Sequence, residues 1–238
     1  MSISIKQSSN FSYELIFDNY SYNNEFLQPL LESILELIPN SSIIYSEIES
    51  KYSIHFYANK VIYLNQKREK EENELNELNN KKLLNYHETL IMMHDLNKQN
   101  DFLINQYSCG FFCLDLNNIL VIDSCIFICT QPKFIRKIYL NNLVFQYPFS
   151  RSNSTSFFSP EIINFNSIPA TVCFKCFYYS LGSFCIYCLF GIKIPCSEFT
   201  VHDVDIKKIL KPIYQTKLYW TILKAIDFDV EKRTLQYC

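Results

Sequence analysis

Phe158-Ser159-Pro160-Glu161, Tyr179-Ser180-Leu181-Gly182 and Asp227-Phe228-Asp229-Val230-Glu231-Lys232-Arg233-Thr234 are the runs on which the reading of this chain turns. The middle run lies within an apolar stretch, Phe177 to Ile192, bracketed by Lys175 and Lys193. A membrane-spanning helix needs about 20 such residues, so the stretch falls short of a span. A helix that is apolar all round also fits the core of a soluble domain, and that is the reading taken here. Gly182 is one of only three glycines, with Gly110 and Gly191, so the first hundred residues contain none.

Working outward, the 48% hydrophobic content of the 238 residues is enough to bury a core of one large domain or two small ones. Twenty-two basic residues face 24 acidic ones, for a net charge of -2, and no Lys/Arg-rich block is interleaved with aromatics. That leaves no electrostatic footprint for a nucleic-acid backbone, so no nucleic-acid partner is expected. Met1 to Asn10 is polar, without the basic start and apolar run of a secretory signal, which makes a reducing cytosol the expected compartment and thiols the expected state of the ten cysteines.

Tyr13 to Phe17 reads as a short strand, and Asn24 to Ile38 as an amphipathic helix capped by Asn24, with Phe26, Leu30, Leu31, Ile34, Leu35 and Ile38 on one face. Ile43 to Ile48, Tyr52 to Tyr57 and Val61 to Leu64 are β-rich runs that predict a small antiparallel meander. Gln66 to Lys82 is a charged connector or solvated helix. A helical stripe from Leu83 continues to about Tyr107, and Phe111 to Leu114, Ile119 to Ile122 and Ile126 to Cys129 are short strands, the last two joined through an Asp123-Ser124 turn. Thr130 to Ser156 has the character of a surface loop, and Phe177 to Phe190 and Thr216 to Ile226 are helices.

A long helix, a hairpin framed by Leu114-Asp115-Leu116-Asn117-Asn118-Ile119-Leu120-Val121, a loop, a Pro-Glu pair and a strongly apolar helix resemble, in order, a protein-kinase C-lobe. Ser159-Pro160-Glu161, Tyr178 to Gly182 and Thr216-Lys217-Leu218-Tyr219-Trp220 are similar to the divergent kinase-like proteins of large DNA viruses. The resemblance covers about Leu83 to the C-terminus. It implies an α+β protein-kinase-like two-lobed fold, with a reduced N-lobe over residues 1–65, the connector over 66–82, and a mainly helical C-lobe over 83–238. It also implies that Glu161 closes the activation segment and that Arg233 pairs with it, a directional contact that strands one charge if the other is removed from a buried site. The helix residue that should be aspartate is Phe177, so its usual bond to the catalytic loop cannot form.

Phosphoryl transfer from ATP needs a phosphate-covering loop, a lysine, magnesium ligands and an aspartate that orients the acceptor hydroxyl. The first hundred residues cannot supply a glycine-rich loop, no strand reads Val-Ala-x-Lys, and Lys60 sits in a turn. Asp115 and Asn118 resemble the catalytic-loop pair, but they lie three apart where the family spacing is five. The segment after the hairpin reads Phe127-Ile128-Cys129-Thr130-Gln131 in place of Asp-Phe-Gly. The expectation is therefore a viral pseudokinase that binds a protein partner in the host cytoplasm or in the virion, with no cofactor. The first alternative is an atypical Ser/Thr kinase using ATP and magnesium, with Asp115 and Asn118 catalytic. The second is a membrane-associated structural protein anchored by Phe177 to Ile192. Ser152, Ser154 and Thr155 are candidate phosphate acceptors.

Cys173-x-x-Cys176 and Cys185-x-x-Cys188 have zinc-site spacing, but the eight residues between the pairs lack turn chemistry. Free cysteine packs as a small hydrophobe, so these are expected to be buried helical thiols, and no metal is expected. His55, His87, His94 and His202 are scattered, with no nucleophile, base and orienter set.

Overall fold

The computed structural model describes residues 3–18, 25–46, 51–67, 82–150, 155–194 and 203–235. Alternating apolar residues at the start of the chain build a hairpin of β1 (Ile3–Gln7) and β2 (Ser12–Asp18). Tyr13, Leu15 and Phe17 point to one buried face, in register with Phe56, Ile54 and Tyr52 of β4 (Lys51–Tyr57). With β3 (Ser42–Ser46) these strands form an antiparallel sheet in the order β1-β2-β4-β3. Helix α1 (Leu27–Leu35) lies between β2 and β3 in the chain and buries Leu27, Leu30, Leu31 and Ile34. Its N-cap is Phe26, which offers no side-chain cap; Asn24 and Ile48 lie outside the described residues.

The expected three-strand meander does not form. β5 (Val61–Tyr63) leaves that sheet and pairs with β8 (Ile119–Ile122), which pairs in turn with β9 (Ile126–Cys129). The physical reason sits at the turn: the Asp123 carboxylate accepts the backbone N–H groups of Asn59 (2.9 Å) and Lys60 (2.7 Å), and Asp123 donates its own N–H to the Lys60 carbonyl. Asp123 and Ser124 both adopt positive φ, 51° and 57°, so the turn expected there does close β8 onto β9. Of the expected connector, most lies outside the described residues; Lys67 pairs with Glu88 at 2.7 Å.

Helix α2 (Tyr86–Tyr107) starts later than its apolar stripe suggests, because Asn85 and Glu88 form a reciprocal capping box there. Leu83 and Leu84, ahead of it, donate their N–H groups to the Cys188 carbonyl instead. α2 also does the work of a neighbouring strand. The Asp95 carboxylate accepts the Phe127 N–H, and Gln99 both accepts the Cys129 N–H and donates to its carbonyl, each at 2.9 to 3.0 Å. Four residues of helix rise about 6 Å and two residues of strand about 6.7 Å, so side chains at i and i+4 meet backbone groups at j and j+2.

The predicted strand Phe111 to Leu114 is two strands with different neighbours. β6 (Cys109–Phe111) pairs with β10 (Ile135–Tyr139), and β7 (Cys113–Asp115) pairs with β12 (Ser156–Phe158). The segment Thr130 to Ser156, expected as a loop, contains β10 and β11 (Asn142–Phe145), joined through Leu140 and Asn141 at φ 47° and 63°. Leucine carries no turn signal, which hid this hairpin. β11 continues to β13 (Ala170–Cys173). The second half is thus mixed rather than mainly helical.

Helix α3 (Pro160–Asn164) precedes α4 (Cys176–Phe190), whose residues Phe177, Leu181, Phe184, Cys185 and Cys188 are buried all round, against β7, β12, α2 and α6 (Lys217–Ala225). Gly182 sets the closeness of α4 and α6, since a Cβ there would stand 2.6 Å from the Ile226 side chain. Thr216 caps α6, accepting the Tyr219 N–H, and α5 (Asp203–Ile209) precedes it. No described helix is long and apolar enough to cross a membrane.

Candidate functional site

The loop between β7 and β8 is built around one buried carboxylate. Asp115 ends β7 at 1% exposure, and its Oδ1 accepts the Asn117 N–H at 2.9 Å, which caps the short 3-10 turn Leu116–Asn118. Antiparallel register sets Ser156 of β12 opposite Asp115, and its hydroxyl donates to Oδ2 at 2.5 Å. Thr155 donates to the same oxygen at 3.0 Å and accepts from the Asn117 amide at 3.1 Å. Of the three suggested phosphate acceptors, Ser152 and Ser154 lie outside the described residues, and Thr155 has its hydroxyl on Asp115.

Asn118 is held from the other side. Its backbone carbonyl accepts both the N–H (3.0 Å) and the hydroxyl (3.1 Å) of Thr130, just past β9, and its Oδ1 accepts the Gln131 side-chain amide at 3.2 Å. Thr130 also hydrogen-bonds the Tyr63 hydroxyl; burial raises that phenol's pKa, and the hydrogen bond acts against the rise. Asp115 and Asn118 therefore lie in one loop but engage different segments, Thr155–Ser156 on one side and Thr130–Gln131 on the other. Lys60 is not part of the loop; it sits at the β4–β5 turn, held through its backbone by Asp123.

The Asp115 oxygens carry three donors from the chain itself, the neighbours of Asn118 are neutral, and among the described residues no group of three His, Cys, Asp or Glu is placed to hold a metal ion. Gln131 and Ser156 were not singled out as partners from the sequence, although Gln131 stands two residues after Cys129, the last residue of β9, in the segment where a metal-binding aspartate was sought.

About the C-terminal runs, Glu161 and Arg233 meet. Arg233 Nη1 and Nη2 donate to the two Glu161 oxygens at 3.1 and 2.5 Å, Nε donates to the Asp227 carbonyl at 2.7 Å, and the guanidinium lies 5.0 Å from the Tyr179 ring centre. Arg233 is 0% exposed and the Glu161 side chain 25%. Burial pushes the Glu161 carboxyl up, but the hydrogen bonds and charge of Arg233 outweigh it and hold the group below the ordinary carboxylate value. Asp229 caps the turn Val230–Lys232 that delivers Arg233. Phe177 packs on Phe111 with ring centres 6.0 Å apart. One turn on, the Ser180 hydroxyl lies 3.2 Å from the Cys176 carbonyl of its own helix and 3.4 Å from the Phe112 carbonyl in the connection before β7, sharing its one proton between them.

Cys185 and Cys188 lie buried on α4, and Cys176 is its first residue, but Cys173 ends β13 rather than lying on a helix. Burial raises the Cys188 and Cys113 thiols well above their usual value and Cys129 to about 12, so they are protonated at neutral pH. Two histidines do touch carboxylates: His55 Nε2 lies 3.3 Å from Glu14 and His94 Nδ1 3.1 Å from Asp95. His202 lies outside the described residues. No protein-family model matches the chain, and no curated protein matches it.

Proposed function

We propose that the chain is a kinase-like protein of the kind carried by large DNA viruses, catalytically inactive, acting in the host cytoplasm by binding a protein partner. The order of elements supports the two-lobed plan. A four-stranded sheet with one helix stands where a reduced N-lobe belongs. After it come the long α2, the Asp115–Asn118 loop, the β8–β9 hairpin, Ser159-Pro160-Glu161, the buried α4 and the Glu161–Arg233 pair.

One observation carries the inactive reading. The groups that phosphoryl transfer would use for magnesium and for the acceptor hydroxyl are occupied by the chain's own neutral side chains: Ser156 and Thr155 on Asp115, Gln131 on Asn118. A thermal-shift titration with ATP and magnesium tests it. The expected result is an unchanged Tm, because a ligand that binds only the folded state would stabilise it with the logarithm of one plus its concentration over Kd and so raise Tm. A rise that continues with ATP concentration and requires magnesium overturns the inactive reading.

The second reading, an atypical Ser/Thr kinase, draws on the same carboxylate, since the Ser156 hydroxyl at 2.5 Å stands as an acceptor hydroxyl would stand before an orienting aspartate. Radiolabelled phosphate transfer that vanishes in Asp115→Ala, in a variant that still melts cooperatively, would establish it.

A further inference from the structure

The two outer strands of the β1-β2-β4-β3 sheet are built differently. Natural edges resist pairing with another chain by placing charge or proline on the outer strand. β1 does so with exposed Lys6. β3, Ser42-Ile43-Ile44-Tyr45-Ser46, has no charge and no proline, and it leaves Ile44 50% and Tyr45 47% exposed. In the sheet it is the outer strand beside β4, with Ile44 opposite Ser53 and Tyr45 against Tyr52 at a ring-centre distance of 4.7 Å.

We infer that β3 is a self-association edge, to which a second copy of the chain adds its own β3 antiparallel about a two-fold axis through Ile44. The sequence of the strand selects this occupant, because it reads almost alike in both directions. Pairing about Ile44 sets Ser42 opposite Ser46, Ile43 opposite Tyr45 and Ile44 opposite its own copy. The Ile43–Tyr45 pairs are aromatic on β-branched, the favourable kind, and no like charges meet. The same operation on β1 about Ile5 would set Ser4 against Lys6 and Ile3 against Gln7, which offers no such match. The contact is isologous and closes at two copies, giving one continuous sheet of eight strands. Five residues a side is far below the 20 to 30 or so of a stable interface, so the dimer is weak and forms as concentration rises. This inference does not rest on the reading of the Asp115 loop.

Disulfide trapping of the full chain tests it, with Cys125, Cys196 and Cys238 changed to serine to remove background thiols. Directly opposed residues of an antiparallel pair have Cα atoms about 4.5 to 5.5 Å apart, within disulfide reach. Ile44→Cys under mild oxidation is therefore expected to give a covalent dimer whose yield rises with protein concentration. Ser42→Cys alone is expected to give none, since two copies of that residue would lie about 13 Å apart, while Ser42→Cys with Ser46→Cys restores the link. Sedimentation of the unmodified chain should show a monomer–dimer equilibrium that Ile44→Lys shifts to monomer. A folded Ile44→Cys variant that stays monomeric, equal trapping through Ser42→Cys alone, or a chain that stays monomeric at every concentration overturns the inference. An edge that takes only foreign peptides would give the last of these results.

Discussion

Glu161 and Asp115 are both carboxylates drawn into the interior, and the chain satisfies them in opposite ways. Glu161 receives a full positive charge in bidentate geometry from an arginine with no exposure of its own. Asp115, at 1% exposure, accepts one backbone N–H and two hydroxyls among the described residues, each a dipole and none a formal charge. The first arrangement makes each partner hostage to the other, because removing one leaves a buried charge. The second can lose a donor and keep the rest. The C-terminal scaffold thus stands or falls on one ion pair, whereas the Asp115 loop is a latch made of several small interactions.

The largest expected effect follows from the first half of that contrast. Glu161→Ala strands the fully buried Arg233 guanidinium and should cost about 3 to 5 kcal/mol in urea unfolding. Glu161→Gln should cost less, since its amide oxygen still accepts from Arg233. The pH dependence follows from the lowered Glu161 carboxyl. A carboxylate whose folded pKa lies below its unfolded value adds stability that is fully present above the unfolded pKa, and loses it as pH falls through the folded one. The wild-type chain should therefore lose stability below about pH 4.5, and Glu161→Gln should lack that part of the slope. An acid profile identical in the two proteins would remove the ion pair from the account.

A steric perturbation of the same region comes next. Gly182→Ala would set a Cβ 2.6 Å from the Ile226 side chain and 3.1 Å from Ala225. Ile226 precedes Asp227, whose carbonyl holds Arg233 Nε. Overpacking typically costs about 1 to 3 kcal/mol, and the better helix propensity of alanine returns about 1, for a net loss of up to about 2 kcal/mol by thermal unfolding. If the variant were more stable than the parent, α4 and α6 would not be packed as closely as the scaffold requires.

How much of this was legible in the sequence differs between the two sites. Glu161, Gly182 and Arg233 stand in runs whose order alone suggested their company, and α4 was readable because an all-round apolar helix has few other uses. The Asp115 loop was half legible. Asp115 and Asn118 are conspicuous polar residues before an apolar run, but their partners come from distant segments that carry no local signal. Ser156 reaches Asp115 only because β12 pairs with β7, and Gln131 reaches Asn118 only because β9 folds back onto β8. β10 and β11 were hidden for a related reason, since their turn uses Leu140 at positive φ. Asp95 and Gln99 broke the apolar pattern of α2, and that interruption was the available sign that the helix bonds to a strand.

The latch itself gives the next smaller effect. Asp115→Asn keeps an oxygen for the Asn117 N–H but turns an amide toward two hydroxyls that must reorient to accept from it, so a loss of about 1 kcal/mol is expected by urea unfolding. A loss as large as that of Glu161→Ala would break the contrast, because it would mean that the loop, too, depends on a single charge.

The smallest effect separates a latch from a set of independent bonds. Thr155→Val removes one donor to Asp115 and one acceptor for Asn117 while Ser156 stays in place, and should cost about 0.5 kcal/mol or a little more. Ser156→Ala takes away the shorter contact and should cost about 1 kcal/mol. Because both hydroxyls share Oδ2, the double variant leaves that oxygen without either donor, and its loss should exceed the sum of the single losses by at least about 0.5 kcal/mol. The same cycle built on Glu161 and Thr155, which engage Arg233 on one side and Asp115 and Asn117 on the other, should add within experimental error. Additivity in the Thr155–Ser156 cycle would mean that each hydroxyl is replaced by water as it is removed, and the loop would then be open to solvent rather than latched.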